Sequence, residues 1–494
     1  MLYLLYSCTT KLVILFNLGP KAHFPKNNTM SSFSSCSFAL FLCLLSLLFP
    51  FIASSNSTIT IPLSLLNTKK PSQDIYEKLT HLASISLARA NYIKKSQDSP
   101  VSTTSLYPKS YGGYSITLGF GTPPQKIPFI MDTGSNFVWF PCTTKYLCTN
   151  CSVSSASSQS IPKFIPKSSS SARVLGCLNP KCGWIHSKTN RKSRCQDCES
   201  PTNCKQICPP YIILYGSGST GGLALVETLD MSNKKIPNFL VGCSLFSSKQ
   251  PAGIAGLGRG RASLPSQLGV KKFSYCLVSH RFDDTGKSSN LVLDFTASGE
   301  KSADLSHTPL LKNPVVAGKN ALSVYYYVGL RKITVGGQKV KIPYKYLTPD
   351  SNGNGGSIVD SGTTFTYMNR GVFEPVLNAF VKQVKGIPRT ESIELITGLR
   401  PCFNISRHKT VSLPELKFHY KGGAEMTLSV TNYFSFVDGA ETDAICLTMI
   451  TDSAFGPELS TGPSIILGNF QMQNYLVEFD LKNEKFGFKQ QMCK

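Results

Sequence analysis

The sequence predicts a mainly β protein built as two related lobes that share one functional centre. Three observations carry this reading. The chain holds 38 Gly and 30 Pro among 494 residues, and Val, Ile, Thr, Tyr and Phe recur between them in short runs, as in many strands joined by turns. From Tyr111 onward no long helical periodicity dominates. One four-residue motif, Asp132-Thr133-Gly134-Ser135, returns as Asp360-Ser361-Gly362-Thr363, 228 positions later (360 − 132) and in the same strand context.

The length exceeds that of one small domain and suffices for a large core. A hydrophobic content of 41% against 16% charged residues excludes a disordered chain. The formal charge is +23, but the lysines and arginines are dispersed, with no basic arm and no stripe of stacking aromatics. A basic soluble surface is therefore expected rather than nucleic-acid binding. An acidic polysaccharide is the partner that such a charge would suit in an exported protein.

Export is expected from residues 38–53, FALFLCLLSLLFPFIA. They have the length of a signal-peptide core, with Ala53 and Ser55 as small residues at a cleavage site. The run is short for a membrane span and Pro50 interrupts it. Met1 and Met30 are both candidate starts, and Lys21 and Lys26 would supply a basic n-region. Residues 1–55 are thus assigned to an N-terminal extension and signal peptide. No lysine-rich retention tail or hydrophobic C-terminal anchor signal is found, so no stable membrane anchor is expected.

An oxidising destination turns cysteines into bridges. Cys8, Cys36 and Cys43 fall in the removed segment, and 14 of the 17 cysteines remain, enough for seven disulfides. Cys195-x-x-Cys198 and Cys204-x-x-x-Cys208 also have zinc-like spacing, but no H-E-x-x-H occurs and the seven histidines do not cluster. Asn56, Asn150 and Asn404 each begin an Asn-x-Ser/Thr glycosylation acceptor.

Residues 56–108 read as a propeptide. ITIPLSLL (59–66) has strand character, Ile75, Leu79, Leu82, Ile85 and Leu87 recur at helical spacing, and SQDSPVSTT (96–104) reads as an exposed linker. The alternative is an ordinary N-terminal helix packed on the domain. Beyond it, YSITLGFG (114–121) is a strand, TPPQ (122–125) a turn, and KIPFIMDTGSNFVWF (126–140) strand, tight loop, strand. GSIVDSGTTFTYM (356–368) repeats the style. Short helices are expected at 263–269 and 370–385. Residues 141–209, with nine of the fourteen remaining cysteines and few apolar residues, read as an insertion stapled by local bridges.

The duplicated motif carries the chemistry. One Asp-Thr-Gly is little more than a turn signal. Two, each between apolar strands (PFIM and FVWF, SIV and FTYM), point to two loops meeting at one centre. Peptide hydrolysis needs a base to take a proton from water and an acid to protonate the carbonyl or leaving amine. Two adjacent carboxylates cannot both ionise cheaply, so one holds a proton while the other stays charged. Gly134 and Gly362 would let the backbone turn tightly beside the carboxylates, and Ser135 and Thr363 would donate hydrogen bonds to them. A basic propeptide lying over such a cleft would pair with its carboxylates until low pH breaks the pairing.

From Tyr111 to Cys493 the chain resembles pepsin-like aspartic proteases (family A1), within them the cysteine-rich plant group typified by nepenthesins. YSITLGFGTPPQ, MDTGSNFVW, YGSGSTGG, GIAGLGRG, FSYCL, IVDSGTTFTY and ILGNFQMQNYLVEFDLKNEKFGF stand in that group's order. The resemblance implies a bilobal acid-protease fold with lobes at 109–295 and 296–494 and the active site in the cleft between them. It implies an aspartic endopeptidase with Asp132 and Asp360 as catalytic residues, supported by Thr133, Gly134, Ser135, Ser361, Gly362 and Thr363. Tyr215 would be a flap tyrosine, with Gly216, Ser217 and Gly218 beside it and Trp139 as its hydrogen-bond partner. Ile254-Ala255-Gly256 and Ile466-Leu467-Gly468 would thread beneath the two catalytic loops. No cofactor or metal is implied. Polypeptide substrates and pepstatin-type inhibitors are the implied partners, cell-wall polysaccharide the one that charge adds, and a monomer is expected. The destination would be the apoplast, the cell wall or the vacuole.

The group also suggests the pairs Cys142–Cys148, Cys151–Cys243, Cys276–Cys493 and Cys402–Cys446, leaving Cys177, Cys182, Cys195, Cys198, Cys204 and Cys208 to pair among themselves. The extra cysteines and the basic charge depart from the namesake enzymes. An acidic optimum is therefore expected from the carboxylate pair and not from overall charge. A non-catalytic storage or inhibitor-binding protein on the same fold is the competing expectation. Such proteins tend to lose a catalytic aspartate, and here both motifs are complete.

Overall fold

A computed structural model describes residues 58–65, 75–94, 113–151, 161–196, 198, 204–215, 218–231, 234–250, 252–279, 288–296, 304–437, 443–452 and 461–494. The expected signal segment, the 96–104 linker, Asn56, Gly216 and Ser217 lie outside the described residues.

Alternation of apolar and polar residues sets the first strands. In Gln125–Asp132 the side chains of Ile127, Phe129 and Met131 are buried and their neighbours less so, the period of two that turns one face to a core. The strand ends on Asp132, and after a tight loop the chain returns as Val138–Pro141, buried throughout. Gly253–Gly256 then runs between the two, parallel to the first and antiparallel to the second, with Gly256 opposite Asp132. The second lobe repeats this. Ser357–Val359 leads to Asp360, Thr366–Met368 leads away, and Ile465–Leu467 lies parallel to one and antiparallel to the other. All three are buried along their length, as inner strands covered on both faces must be. The expected Ile-Ala-Gly and Ile-Leu-Gly segments are these two threading strands.

One sheet crosses between the lobes. The C-terminal hairpin, Tyr475–Asp480 with Lys485–Gln490, pairs with Lys272–Cys276, which pairs with Ser288–Asp294. Thr58–Leu65 then bridges Ser288–Asp294 to Tyr114–Phe120 in the first lobe. Aromatic packing locks this floor: Phe273 and Phe479 stack at 4.6 Å, and Tyr326 sits 4.6 Å from Phe479. Around Phe120, the rings of Phe129, Phe140 and Phe239 fill the first lobe.

The two expected short helices form at Leu264–Leu268 and Arg370–Gln383. Ser263 caps the first by accepting from the Ser266 N–H, and Gly269 closes it in the left-handed conformation. Asn369 caps the second, which buries Val372, Phe373, Val376, Leu377 and Phe380. The helix expected in the N-terminal segment spans Ile75–Lys94, but its inward stripe is rotated from the expected one. Leu79, Leu82, Ala83, Ser86, Arg89 and Ala90 are buried, whereas Ile85 and Leu87 are only half-buried. Three of these six residues are small and three large, and polar Ser86 and Arg89 turn inward because partners wait for them there.

Seven disulfides link the described residues. Cys276–Cys493 and Cys402–Cys446 match the expectation, and Cys177–Cys195, Cys182–Cys208 and Cys198–Cys204 use the six left over. The pairs Cys142–Cys148 and Cys151–Cys243 are corrected to Cys142–Cys243 and Cys148–Cys151. Strand pairing is the reason. Val138–Pro141 runs parallel to Lys235–Ser248, with Phe140 opposite Cys243 and the Cys142 N–H donating to Ser244. This brings the two Cα atoms to 5.0 Å, inside the range a disulfide requires. Eight of the nine insertion cysteines pair within the insertion, and Cys142 alone reaches outside it, to Cys243, where the register of neighbouring strands brings the two together.

Mapping of unreduced peptides by mass spectrometry is expected to recover Cys142 joined to Cys243. A peptide joining Cys142 to Cys148 would contradict this strand register.

Candidate active site

Asp132 and Asp360 end matching strands and meet at the floor of the interlobe region, both fully or almost fully buried. Each carboxylate is held the same way. Asp132 accepts from the Gly134 N–H at 2.9 Å and the Ser135 hydroxyl at 2.6 Å. Asp360 accepts from the Gly362 N–H at 2.9 Å and the Thr363 hydroxyl at 2.6 Å. The glycines are also required by closeness: a Cβ on Gly134 would overlap the Asp360 carboxylate, and one on Gly362 would overlap that of Asp132.

The residues between them tie the two loops together. The Thr133 N–H donates to Ser361 Oγ at 3.0 Å, and the Ser361 N–H donates to Thr133 Oγ1 at 2.9 Å. Each hydroxyl then donates to the strand before the other loop, Thr133 to the Val359 carbonyl and Ser361 to the Met131 carbonyl. Four hydrogen bonds thus cross between the lobes with approximate two-fold symmetry, and both residues are buried. The threading strands complete the support: the Leu257 N–H donates to the Asp132 carbonyl, and the Asp360 N–H to the Leu467 carbonyl.

Beside this centre, Trp139 Nε1 donates to the Tyr215 hydroxyl at 2.7 Å. Tyr215 follows the strand Tyr211–Leu214 and exchanges backbone hydrogen bonds with Gly218, which precedes the strand Ser219–Asp230. It therefore stands at the turn of a hairpin. Asn150 is exposed and Asn404 half-buried. The cysteines with zinc-like spacing are all in disulfides. Among the described residues no group of three His, Cys, Asp or Glu side chains is placed to hold a metal.

One occupant was visible in sequence only as a trend. Arg89, on the inward face of the N-terminal helix, reaches both carboxylates. Its Nη2 lies 3.0 Å from Asp132 Oδ1 and its Nε lies 3.1 Å from Asp360 Oδ2. It is the only arginine between residues 56 and 108. Ser86, one turn earlier, accepts from the Phe365 N–H at 2.8 Å. The expectation that a basic segment pairs with the carboxylates thus has a single residue and a geometry behind it, and Ser86 is an addition that helical spacing of apolar residues could not have signalled.

The two carboxyls diverge in acidity. Burial pushes Asp132 up to about 6, the charge of Asp360 adding to the rise and Arg89 opposing it. Burial also works to raise Asp360, but Arg89, the Thr363 hydroxyl and the Gly362 N–H outweigh it and hold this carboxyl below its usual range. The pair therefore keeps one charge on Asp360 and takes its next proton on Asp132. A proton donor and a proton acceptor side by side in a dry site are what general acid–base hydrolysis uses.

Replacing Thr133 by Val, or Ser361 by Ala, leaves a buried backbone N–H unpaired and is expected to cost about 1–3 kcal/mol of folding stability. Urea unfolding would measure this, and an unchanged midpoint would show that the crossing bonds hold nothing.

The comparisons with known proteins agree with this geometry. Family models described as xylanase inhibitor N-terminal and xylanase inhibitor C-terminal match residues 114–293 and 325–490. A probable aspartyl protease of Arabidopsis thaliana is 32% identical over 432 residues, covering 79% of this chain and 84% of the relative. Aspartic proteinase nepenthesin-2 of Nepenthes gracilis is 34% identical over 392 residues, covering 77% and 78%. The crystal structure of edgp superposes with a TM-score of 0.60 at 20% identity, covering 88% of this chain and 95% of that one, which shows the shared fold. The duplicated carboxylate loops, the two threaded lobes and these relatives lead to one conclusion: the chain belongs to the plant nepenthesin-like group of pepsin-like aspartic proteases.

Proposed function

We propose that this protein is a secreted aspartic endopeptidase made as an inactive precursor, with Asp132 and Asp360 as its acid–base pair. The observation that carries the reading is the pair of buried carboxylates, each held by two matching hydrogen bonds and clamped to the other loop. In the mature enzyme the charged carboxylate takes a proton from water as it attacks the peptide carbonyl. The protonated one donates to the carbonyl oxygen and stabilises the tetrahedral intermediate, and no covalent intermediate forms. Tyr215 and its hairpin close over the substrate, with Trp139 orienting the tyrosine hydroxyl and the closed hairpin excluding water. Seven disulfides support an oxidising destination.

Residues 56–108 are the propeptide in this reading, and Arg89 blocks catalysis by occupying both carboxylates. Acid release follows from the charge of Arg89, which favours the ionised form of both carboxyls, so its contacts weaken once they take protons. Asp132, raised to about 6 by burial, is the first to take a proton as pH falls, which removes one of Arg89's anionic partners. Asp360, held below its usual range, contributes docking stability at higher pH and loses it as pH falls through its lowered value. Both steps weaken the hold of Arg89 in acid, while the burial that raises Asp132 acts in the opposite sense.

The description of the matching family models as xylanase inhibitors favours a second reading, a non-catalytic inhibitor on the same fold. Digestion of denatured haemoglobin by acid-treated protein, with and without pepstatin, separates the two. Pepstatin-sensitive cleavage is expected, with Asp132→Asn or Asp360→Asn lowering turnover by orders of magnitude in a folded protein. Full activity in either variant would end the assignment. N-terminal sequencing after incubation from pH 3 to pH 8 should find wild-type processing confined to acid and Arg89→Gln processed at higher pH. Identical profiles would remove Arg89 from the inhibition.

A further inference from the structure

The N-terminal helix fills more than the catalytic centre. Ahead of Arg89 its inward face carries Leu79 and Leu82, both 0% exposed. They belong to one apolar cluster with Phe365, Tyr367, Ile393 and Ile450. The helix packs on Glu391–Thr397, Thr366–Met368 and Met449–Ile450, all of the second lobe. The strand Thr366–Met368 starts three residues after Thr363 (366 − 363), so this surface is continuous with the Asp360 loop. At its far end Thr80 Oγ1 donates to the Ile396 carbonyl at 2.6 Å, and beside it Leu395 and Ile396 stand 84% and 55% exposed. An apolar trough thus runs from the carboxylates to the surface, and a segment of the chain's own polypeptide lies in it.

Removal of that segment, which the proteolytic reading requires, takes Leu79 and Leu82 out of the cluster that holds Tyr367, Ile393 and Ile450 and exposes the apolar surface they cover, at roughly 25 cal/mol for each Å². The present occupant shows what the trough accepts: a polypeptide with a group at the carboxylates, a hydrogen-bond partner for the Phe365 N–H, and leucines beyond. Leu82 and Leu79 precede Arg89 by 7 and 10 residues (89 − 82, 89 − 79). At a helical rise of about 1.5 Å per residue that is about 10–15 Å. An extended peptide covers the same span in about three to five residues at about 3.3 Å each.

We propose that this trough is a distal subsite of the mature enzyme, which selects polypeptide substrates bearing a large aliphatic side chain three to five residues from the scissile bond. Ile393 and Ile450 are its specificity-determining residues. The inference rests on the proteolytic reading. The test uses enzyme matured in acid from the full-length chain and a peptide series with one fixed scissile pair. Leu is moved through the second to sixth positions on either side, with Asp as its counterpart. Leu at one position in the proposed window should raise kcat/KM at least tenfold over Asp there, and other distal positions should respond little. In Ile393→Ser and Ile450→Ser enzymes, active-site titrated with pepstatin, this preference, read as the ratio of kcat/KM for the Leu and Asp peptides, should shrink severalfold. The substrate series needs no folded variant. Cleavage without any distal preference, or a preference untouched by both substitutions, overturns the subsite alone. Absence of any pepstatin-sensitive cleavage overturns the proteolytic reading and the subsite with it.

Discussion

Two carboxylates in contact inside a protein repel each other unless something holds them, and the reciprocal hydrogen bonds of Thr133 and Ser361 are what hold them here. Each residue uses its own N–H and its own hydroxyl, so neither loop can move without leaving buried polar groups of the other unpaired. The rest of the fold serves this constraint. The threading strands Gly253–Gly256 and Ile465–Leu467 fix each loop from below. The interlobe sheet and its Phe273, Tyr326 and Phe479 stack fix the lobes to each other.

The same constraint explains why the pair is unequal. The donors to the two carboxylates match almost bond for bond, yet Asp132 is pushed up and Asp360 held down. Two like charges in one dry pocket share a proton whatever the symmetry of their surroundings. With the helix in place, the guanidinium of Arg89 reaches one oxygen of Asp360 through Nε and the other carboxylate through Nη2, a fork that a single-point cation cannot copy.

Much of this was legible in the sequence because it rests on local rules. Strands ending in Asp-Thr-Gly-Ser and Asp-Ser-Gly-Thr and the helix after Asn369 follow from short stretches of chain, whereas the Trp139–Tyr215 partnership, 76 residues apart, is implied only by the family resemblance. What escaped depends on which distant segments lie side by side. The exchange of Cys148 for Cys243 as the partner of Cys142 comes from a strand pairing more than 100 residues long in its loop, and sequence spacing holds no record of it. Hydrophobicity alone puts Ile85 and Leu87 on the inward stripe, yet both are only half-buried. The inward positions at Ser86 and Arg89 are polar, and only the carboxylates and the Phe365 N–H beneath them make that placement favourable.

The helix is therefore held by two kinds of anchor whose responses to pH differ. The Arg89 contacts depend on ionised carboxylates and weaken with acid. The burial of Leu79 and Leu82, worth roughly 1.5–3 kcal/mol for each side chain when complete, does not depend on pH at all. In the proposed precursor, acid would thus loosen the end of the helix at the two carboxylates while the leucine end stays seated. A segment held in this way gives up the carboxylates before it leaves the molecule, so the centre is cleared first and the apolar trough last. On the proposed proteolytic reading, the electrostatic anchor would set when the enzyme can begin to act, and the apolar one how long its own chain competes with substrate for the groove.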